Sequence, residues 1–480
     1  MSRRRLGVLL ATLAVLSAAC QRQSSLQPPR PAALVSCEQV LAADAVYHHY
    51  RVAVRALAKG QEPAGIPGLR CFLGEDAVQR LQPPQAYRQL VGNTFDADIL
   101  YAALRKRFDK TLAQDRRLGL KRDAGLAWPG AYLSEAALVA YRKTGQQRFL
   151  DLFVHYFDAV LQRRDDRLGR FDSEHKRVMP AWGSVNIGKT RWIAHVTHNA
   201  RIVYPATEFA RLVLQDASLQ QPALQQYRAK AEEYIAASRE TLDAFEDDLV
   251  AVPGQAGLRW YRRPLENNFE ATNHLHVVGT AWLNLALLTG EPRYKRHVEE
   301  LITVFLKGVR REPDGLVSWN YFPFFAESER RVYPNGQEYS EPVWKAVLTV
   351  PFLVRAAEHG YRVPAWFMTA IGRTFSRQVL QGDQLWRNLA RQQSRVVDLK
   401  RDRKKRGMLK NTMALSELGD LEPELAPRLA ALVASRPDLF PLGWLSSSPG
   451  LLGYAYYLEA SSSRAFVVPS RSPVISSSTP

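Results

Sequence analysis

Apolar residues recur at three- and four-residue spacing along most of the chain and almost nowhere alternate long enough to make a strand. The pattern predicts helices over "DADILYAALRKRFDKTLA", "GAYLSEAALVAYRKTGQQRFLDLFVHYFDAVLQ", "NARIVYPATEFARLVLQ" and "QQYRAKAEEYIAASRETLDAF". Further helices are predicted over "HVVGTAWLNLALLTG", "RYKRHVEELITVFLKGV", "EPVWKAVLTVPFLVRAAEHG" and "AWFMTAIGRTFSRQVL". In "KTGQQRF" and "LTGEPRY" a glycine, Gly145 or Gly290, stops one helix and the next begins at once. The repeating unit is therefore a helical hairpin. The expected fold class is all-α, an (α/α) toroid or incomplete αα-barrel of helical hairpins whose inner helices line a concave cleft. An open α-solenoid is the other way to stack such pairs.

The first nineteen residues break this pattern. Met1 to Arg5 is basic, "LGVLLATLAVLSAA" is apolar, and Cys20 follows small residues, as in a secretory signal. "LSAAC" resembles the lipobox of bacterial lipoproteins. The resemblance implies acylation of Cys20 and, with Gln21 after it, an outer-membrane lipoprotein facing the periplasm; plain secretion is the alternative. Residues 20–37 read as a Pro-rich flexible tether, 38–460 as one toroidal catalytic domain and 461–480 as a disordered Ser/Pro tail. Cys37 and Cys71 suit one disulfide in an oxidising compartment, with two buried thiols as the other reading.

Charge narrows the partners. Loss of Arg3, Arg4 and Arg5 with the leader takes the formal net charge from +18 to +15, an excess that favours an anionic partner. Export and the lack of any finger, RRM or basic-helix pattern argue against nucleic acid. Acidic polysaccharide and lipid headgroups remain. The basic run Leu399 to Lys410 reads as a solvated face or a contact for an anionic polymer.

"HNARIVYPATEFARLV", "NHLHVVGTAWLNLALLTGEPRYKRHVEEL" and "VSWNYFP" followed by "EYSEPVWKAVLTVPFLVRAAEHGY" resemble elements of αα-toroid polysaccharide lyases, notably the glucuronan/alginate lyase group. The resemblance spans about residues 125 to 375. Where related proteins show an acidic-Ser-His pattern before the last inner helix, this chain has Glu338-Tyr339-Ser340-Glu341. The resemblance implies β-elimination on a uronate polymer, carried out by a monomer without a cofactor.

Such a reaction needs a base for the C5 proton, a partner for the adjacent carboxylate and an acid for the departing oxygen. His195, His198 and Asn199 cluster at one helix start, and Asn273, His274 and His276 at another. The expected roles are His198 or His274 as base, Asn273 and Asn199 as carboxylate clamps, and Tyr321 as acid. Arg191 and Arg262 are the candidate uronate-binding arginines. His276, Trp128, Trp182, Trp192 and Trp319 are candidate substrate contacts, and Tyr333, Glu338 and Tyr339 sit in a candidate loop over the cleft. No HExxH or CxxC spacing calls for a metal. Rival readings are a glycoside hydrolase using two of Asp96, Glu135, Asp172, Glu208, Glu270, Glu338 and Glu341, a uronate C5-epimerase, or a non-catalytic polysaccharide-binding envelope protein.

Overall fold

Two kinds of helix alternate along the chain, and their sequences explain which goes inside. "TNHLHVVGTAWLNLALLT" is apolar nearly all round and is buried on every face over its first fourteen residues except at His274. "PRYKRHVEELITVFLK", which follows after Gly290 and Glu291, is apolar on one stripe only and packs that stripe inward. In the computed structural model the described residues are 36–42, 45–93, 97–118, 125–185, 190–215, 225–263, 269–325, 340–381, 384–385, 389, 425, 428–429, 432 and 447–457.

The described residues divide into two compact units at Ala86. No composition break marks that point, because a helix, Pro83–Asn93, runs through it. The first unit holds the short helices Cys37–Leu41, Val46–Ala58, Arg70–Leu73 and Glu75–Arg80. Ser36 and Gln39 form a capping box at the first of them. A disulfide joins Cys37 to Cys71 across 5.1 Å between Cα atoms, stapling a unit too small to rely on its core alone.

The second unit is the toroid. Its main helices are α1 (Ala97–Leu118), α2 (Ala131–Thr144), α3 (Arg148–Leu161), α4 (Val196–Gln215), α5 (Gln225–Asp243), α6 (Thr272–Thr289), α7 (Pro292–Lys307), α8 (Val343–Glu358), α9 (Ala365–Arg373) and α10 (Ser448–Tyr457). The inner helices α2, α4, α6 and α8 pack side by side in that order, with α3, α5 and α7 outside them. The last described helix, α10, returns to pack on α2 and α1, a ring-like return that an open solenoid lacks. Gly145 and Gly290 end α2 and α6 with left-handed φ of 66° and 69°. Gly279 lets α6 approach its neighbours, since a Cβ there would lie 2.5 Å from Leu301 and 2.7 Å from Phe352.

Each outer helix returns to the next inner one through short antiparallel hairpins. β1–β2 (Phe171–Asp172, Arg177–Val178) and β3–β4 (Gly183–Ser184, Ile193–Ala194) precede α4. β5–β6 (Leu249–Ala251, Arg259–Tyr261) precede α6, and β7–β8 (Arg310–Glu312, Leu316–Ser318) precede α8. The loops after β6 and β8 carry equivalent acids: Glu270 donates its N–H to Tyr261 O at 3.0 Å, and Glu341 donates to Trp319 O at 3.0 Å. Among the described residues no helix is long and apolar enough to cross a membrane.

The inner helices run parallel and in register. The third residues of α4, α6 and α8, His198, His274 and Lys345, gather at one end, around Trp128 from the π-turn before α2. Their thirteenth residues, Glu208, Asn284 and Arg355, meet at the other, where Arg142 of α2 joins them. Ten residues of helix separate the two levels, about 15 Å.

Candidate functional site

Glu270 organises the first level. Its carboxylate is fully buried, accepts a hydrogen bond from His195 Nε2 on Oε1 at 2.7 Å, and accepts one from His274 Nδ1 on Oε2 at 2.8 Å. Thr197 Oγ1 donates to Oε2 at 3.2 Å, and Arg263 Nε lies 3.4 Å from Oε1. Burial would raise its pKa, but its interactions with His195 and His274 hold it well below the usual carboxylate range. Glu270 is therefore an anion at neutral pH.

His274 sits on the cleft side of that carboxylate with 18% of its side chain exposed. Burial lowers its pKa and outweighs the opposing pull of Glu270, so the ring is neutral. With Nδ1–H committed to Glu270, the lone pair lies on Nε2. This is the histidine–carboxylate pairing that makes a directed base. His198, 5.1 Å from His195 between ring centroids, accepts the Trp128 indole N–H on Nε2 at 3.3 Å, and burial followed by the nearby His195 and His274 depresses its pKa.

Trp128 spans the cleft, with ring centroids 6.0 Å from His198 and 5.8 Å from His274. Tyr321 stands 6.3 Å from His274, and its backbone oxygen accepts the Thr272 N–H at the start of α6. Lys345 Nζ lies 4.5 Å from the Trp344 ring, 5.4 Å from Tyr321 and 6.0 Å from Trp128. Behind it, fully buried Glu341 accepts hydrogen bonds from the Trp319 indole and from Thr349 Oγ1. Burial pushes Glu341 up to about 8 against those hydrogen bonds, and burial lowers Lys345 against the pull of Glu341.

The structure thus brings together His198, His274, Tyr321 and Trp128 and adds His195, Glu270, Arg263 and Lys345. It leaves the other candidates elsewhere. Asn273, next to His274 and turned about 100° from it, is fully buried, with neither amide atom hydrogen-bonded. Asn199 is committed to the protein, accepting the Trp182 N–H at 2.8 Å and donating to the Trp182 and His195 carbonyls. His276 is core: it stacks on Phe352 at 5.1 Å and meets Phe305 at 4.8 Å, and burial lowers its pKa to about 3.

The remaining tryptophans serve the scaffold. Trp182 donates to Val160 O, Trp192 to Asp165, and Trp319 to Glu341. Arg191 and Arg262 are exposed on the loops before α4 and α6, and Arg263, one residue on, is the arginine that reaches Glu270. Tyr333, Glu338, Tyr339 and Cys20 lie outside the described residues. Among those residues no group of three or more His, Cys, Asp or Glu side chains could hold a metal ion. The signal that finds the added groups is a spacing: Glu270 to His274 and Glu341 to Lys345 are both i,i+4 across a helix start.

His175 works apart from these histidines. Its Nδ1 lies 3.0 Å from Asp172 Oδ1 and its Nε2 2.9 Å from Asp248 Oδ2, pinning β1–β2 to the turn before β5. Burial disfavours the charged ring, but the two carboxylates outweigh it and raise the pKa from 6.5 to about 9. A pKa raised by folding gives stability that is full below 6.5 and fades as pH rises through about 9. Urea midpoints should show wild type more stable than His175→Gln at mildly acid pH, with the gap closing across that window.

No family model matches the chain, and no curated protein matches it in sequence. Several solved structures share elements of this shape, three of them as follows. An inactive variant of the α-1,6-mannanase GH76A of Salegentibacter sp. HEL1_6, in complex with α-1,6-mannotriose, gives a TM-score of 0.42 at 10% identity over 76% of this chain and 98% of that one. Cellobiose 2-epimerase from Spirochaeta thermophila DSM 6192 gives 0.42 at 15% identity, over 74% and 96% of the two chains. The cellobiose 2-epimerase from Bacillus thermoamylovorans B4167 gives 0.40 at 13%, over 64% and 76%. At such scores and identities the likenesses carry nothing about activity, and what is established here is the all-α toroid of helical hairpins that the chain's own packing describes.

Proposed function

We propose that the chain is a polysaccharide lyase that cleaves a uronate-containing polymer by β-elimination, with His274 as the base. The observation that carries the reading is the buried Glu270 carboxylate gripping His274 Nδ1, which leaves Nε2 as a base facing the cleft. Nε2 takes the C5 proton, the C5–H electron pair becomes the C4–C5 double bond, and the C4–O4 bond breaks. Tyr321, beside His274, protonates the departing O4. Glu270 does not take the proton; its negative charge stabilises the imidazolium that forms.

A hydrolase fits these residues less well. It needs two carboxyl groups that touch the sugar and the water, yet Glu270 and Glu341 are both fully buried behind the histidine and the lysine. A C5-epimerase is the second reading, favoured by one observation: His198 and His274 face Trp128 from two different helices and could serve opposite faces of a sugar ring. In both readings the protein is an exported one tethered through Cys20.

Incubating the purified chain with polyglucuronate, polymannuronate and polyguluronate should raise the ultraviolet absorbance of the new double bond with at least one polymer. Deuterium uptake at C5 from heavy water without that absorbance would select the epimerase. Neither signal on any of the polymers would sink the base assignment.

A further inference from the structure

We propose that Lys345 receives the carboxylate of the bound sugar and thereby selects anionic over neutral saccharides, an inference that rests on the function proposed above. The argument starts from placement. Lys345 is the third residue of α8, the same position that carries His198 on α4 and His274 on α6, so successive repeats deliver their side chains to one cleft. Where two repeats supply imidazoles, this one supplies an ammonium.

Its surroundings suit a ligand more than a protein partner. Three aromatic rings, Trp128, Tyr321 and Trp344, wall the ammonium at 4.5 to 6.0 Å. Among the described residues no carboxylate forms an ion pair with it; Glu341, four residues back, spends its oxygens on Trp319 and Thr349. Glu341 is also held toward its neutral form, so it cancels little of the lysine's charge.

The fold adds to the field at this point. α4, α6 and α8 all begin here, and a helix start carries about half an elementary positive charge. The anion already present, Glu270, is buried and used by its own histidines, and Arg263 stands against it. Among the described residues Lys345 has no anionic partner, and a uronate carboxylate would supply one. Held there, the carboxylate is partly neutralised, and that lowers the cost of removing the neighbouring C5 proton. Burial of the ring beside Trp128 keeps water from weakening the pairing.

The test compares wild type, Lys345→Met and Lys345→Arg on oligouronates, on their methyl esters and on the matching neutral oligosaccharides. Calorimetry with full-length protein reads binding, and double-bond absorbance reads turnover. Wild type should bind the oligouronate in preference to the neutral sugar. Lys345→Met should lose that preference, with kcat/KM on the free acid about a hundredfold lower and on the methyl ester nearly unchanged. Lys345→Arg should keep most of the binding, which separates charge from packing. An equal loss on acid and ester, or an oligouronate bound equally well by wild type and Lys345→Met, would overturn the proposal, as would wild type failing to prefer the oligouronate. If binding follows the expected pattern but no polymer is eliminated, the lysine assignment stands and the lyase reading falls.

Discussion

Replacing His274 by alanine should lower turnover about a thousandfold, the usual worth of a positioned base, while helix content and urea midpoint should stay close to wild type. The side chain is mostly buried and, among the described residues, is hydrogen-bonded to Glu270, so its loss opens a small polar gap rather than a cavity in the core. Glu270→Gln keeps the volume yet removes the charge that fixes the Nδ1–H tautomer and balances the imidazolium. Its loss should fall in the range of about 10³ to 10⁴ in kcat, with KM little changed. Because Glu270 also holds His195, the double variant with His274→Ala should cost no more than the worse single one. Steady-state kinetics on the preferred polymer decide the matter: additive losses would show that the two residues act separately.

The largest effect on stability is expected at Glu208. This carboxylate is 2% exposed and receives Arg142 at 2.7 Å, Arg211 at 3.3 Å, Arg355 at 3.4 Å and the Asn284 amide at 3.2 Å. Four inner helices are tied by that one side chain. Burial alone would raise its pKa; Arg355, Arg211 and Arg142 drive it far below the usual range. Glu208→Ala leaves mostly buried guanidiniums around an uncompensated gap and should cost about 3 to 5 kcal/mol, read from the urea midpoint at constant slope. Glu208→Gln should cost less, because it keeps one acceptor. The protein that remains folded should keep a near-normal KM, since the cleft lies about ten residues of helix away.

Much of the architecture was legible because it is local. Gly145 and Gly290 announced helix ends through a backbone conformation that glycine adopts without strain, and the three-and-four spacing announced the helices. His198 and His274 were legible as polar residues at the mouth of apolar helices. Their faces were harder to read. Asn273 and His276 flank His274 in sequence, but each residue turns the helix by about 100°, and an inner helix buried all round has core on both sides of a narrow cleft face. Asn199 is legible as part of the cluster with His195 and His198, but its hydrogen bonds run to the Trp182 backbone and the His195 carbonyl rather than to the cleft. Lys345 is hard to read from sequence because it lies inside an apolar run, where a single lysine reads as an end that reaches solvent. Only the repeat of Glu270–His274 by Glu341–Lys345, aligned on two helix starts, shows it to be the counterpart of a histidine.

The parallel, in-register inner helices have an effect on how a charged polymer is captured. The peptide dipoles of the inner helices point one way and make the inner wall positive at its histidine end, while the outer helices run back and offset them on the outside; the arginines around Glu208 sit where the inner C-terminal ends gather. A polyanion drifting past is steered toward one mouth before any contact forms, and that steering reaches only about 10 Å at moderate ionic strength. Added salt should therefore slow capture more than it loosens a chain already seated in the cleft, so the ring's polarity governs the rate of encounter more than the hold.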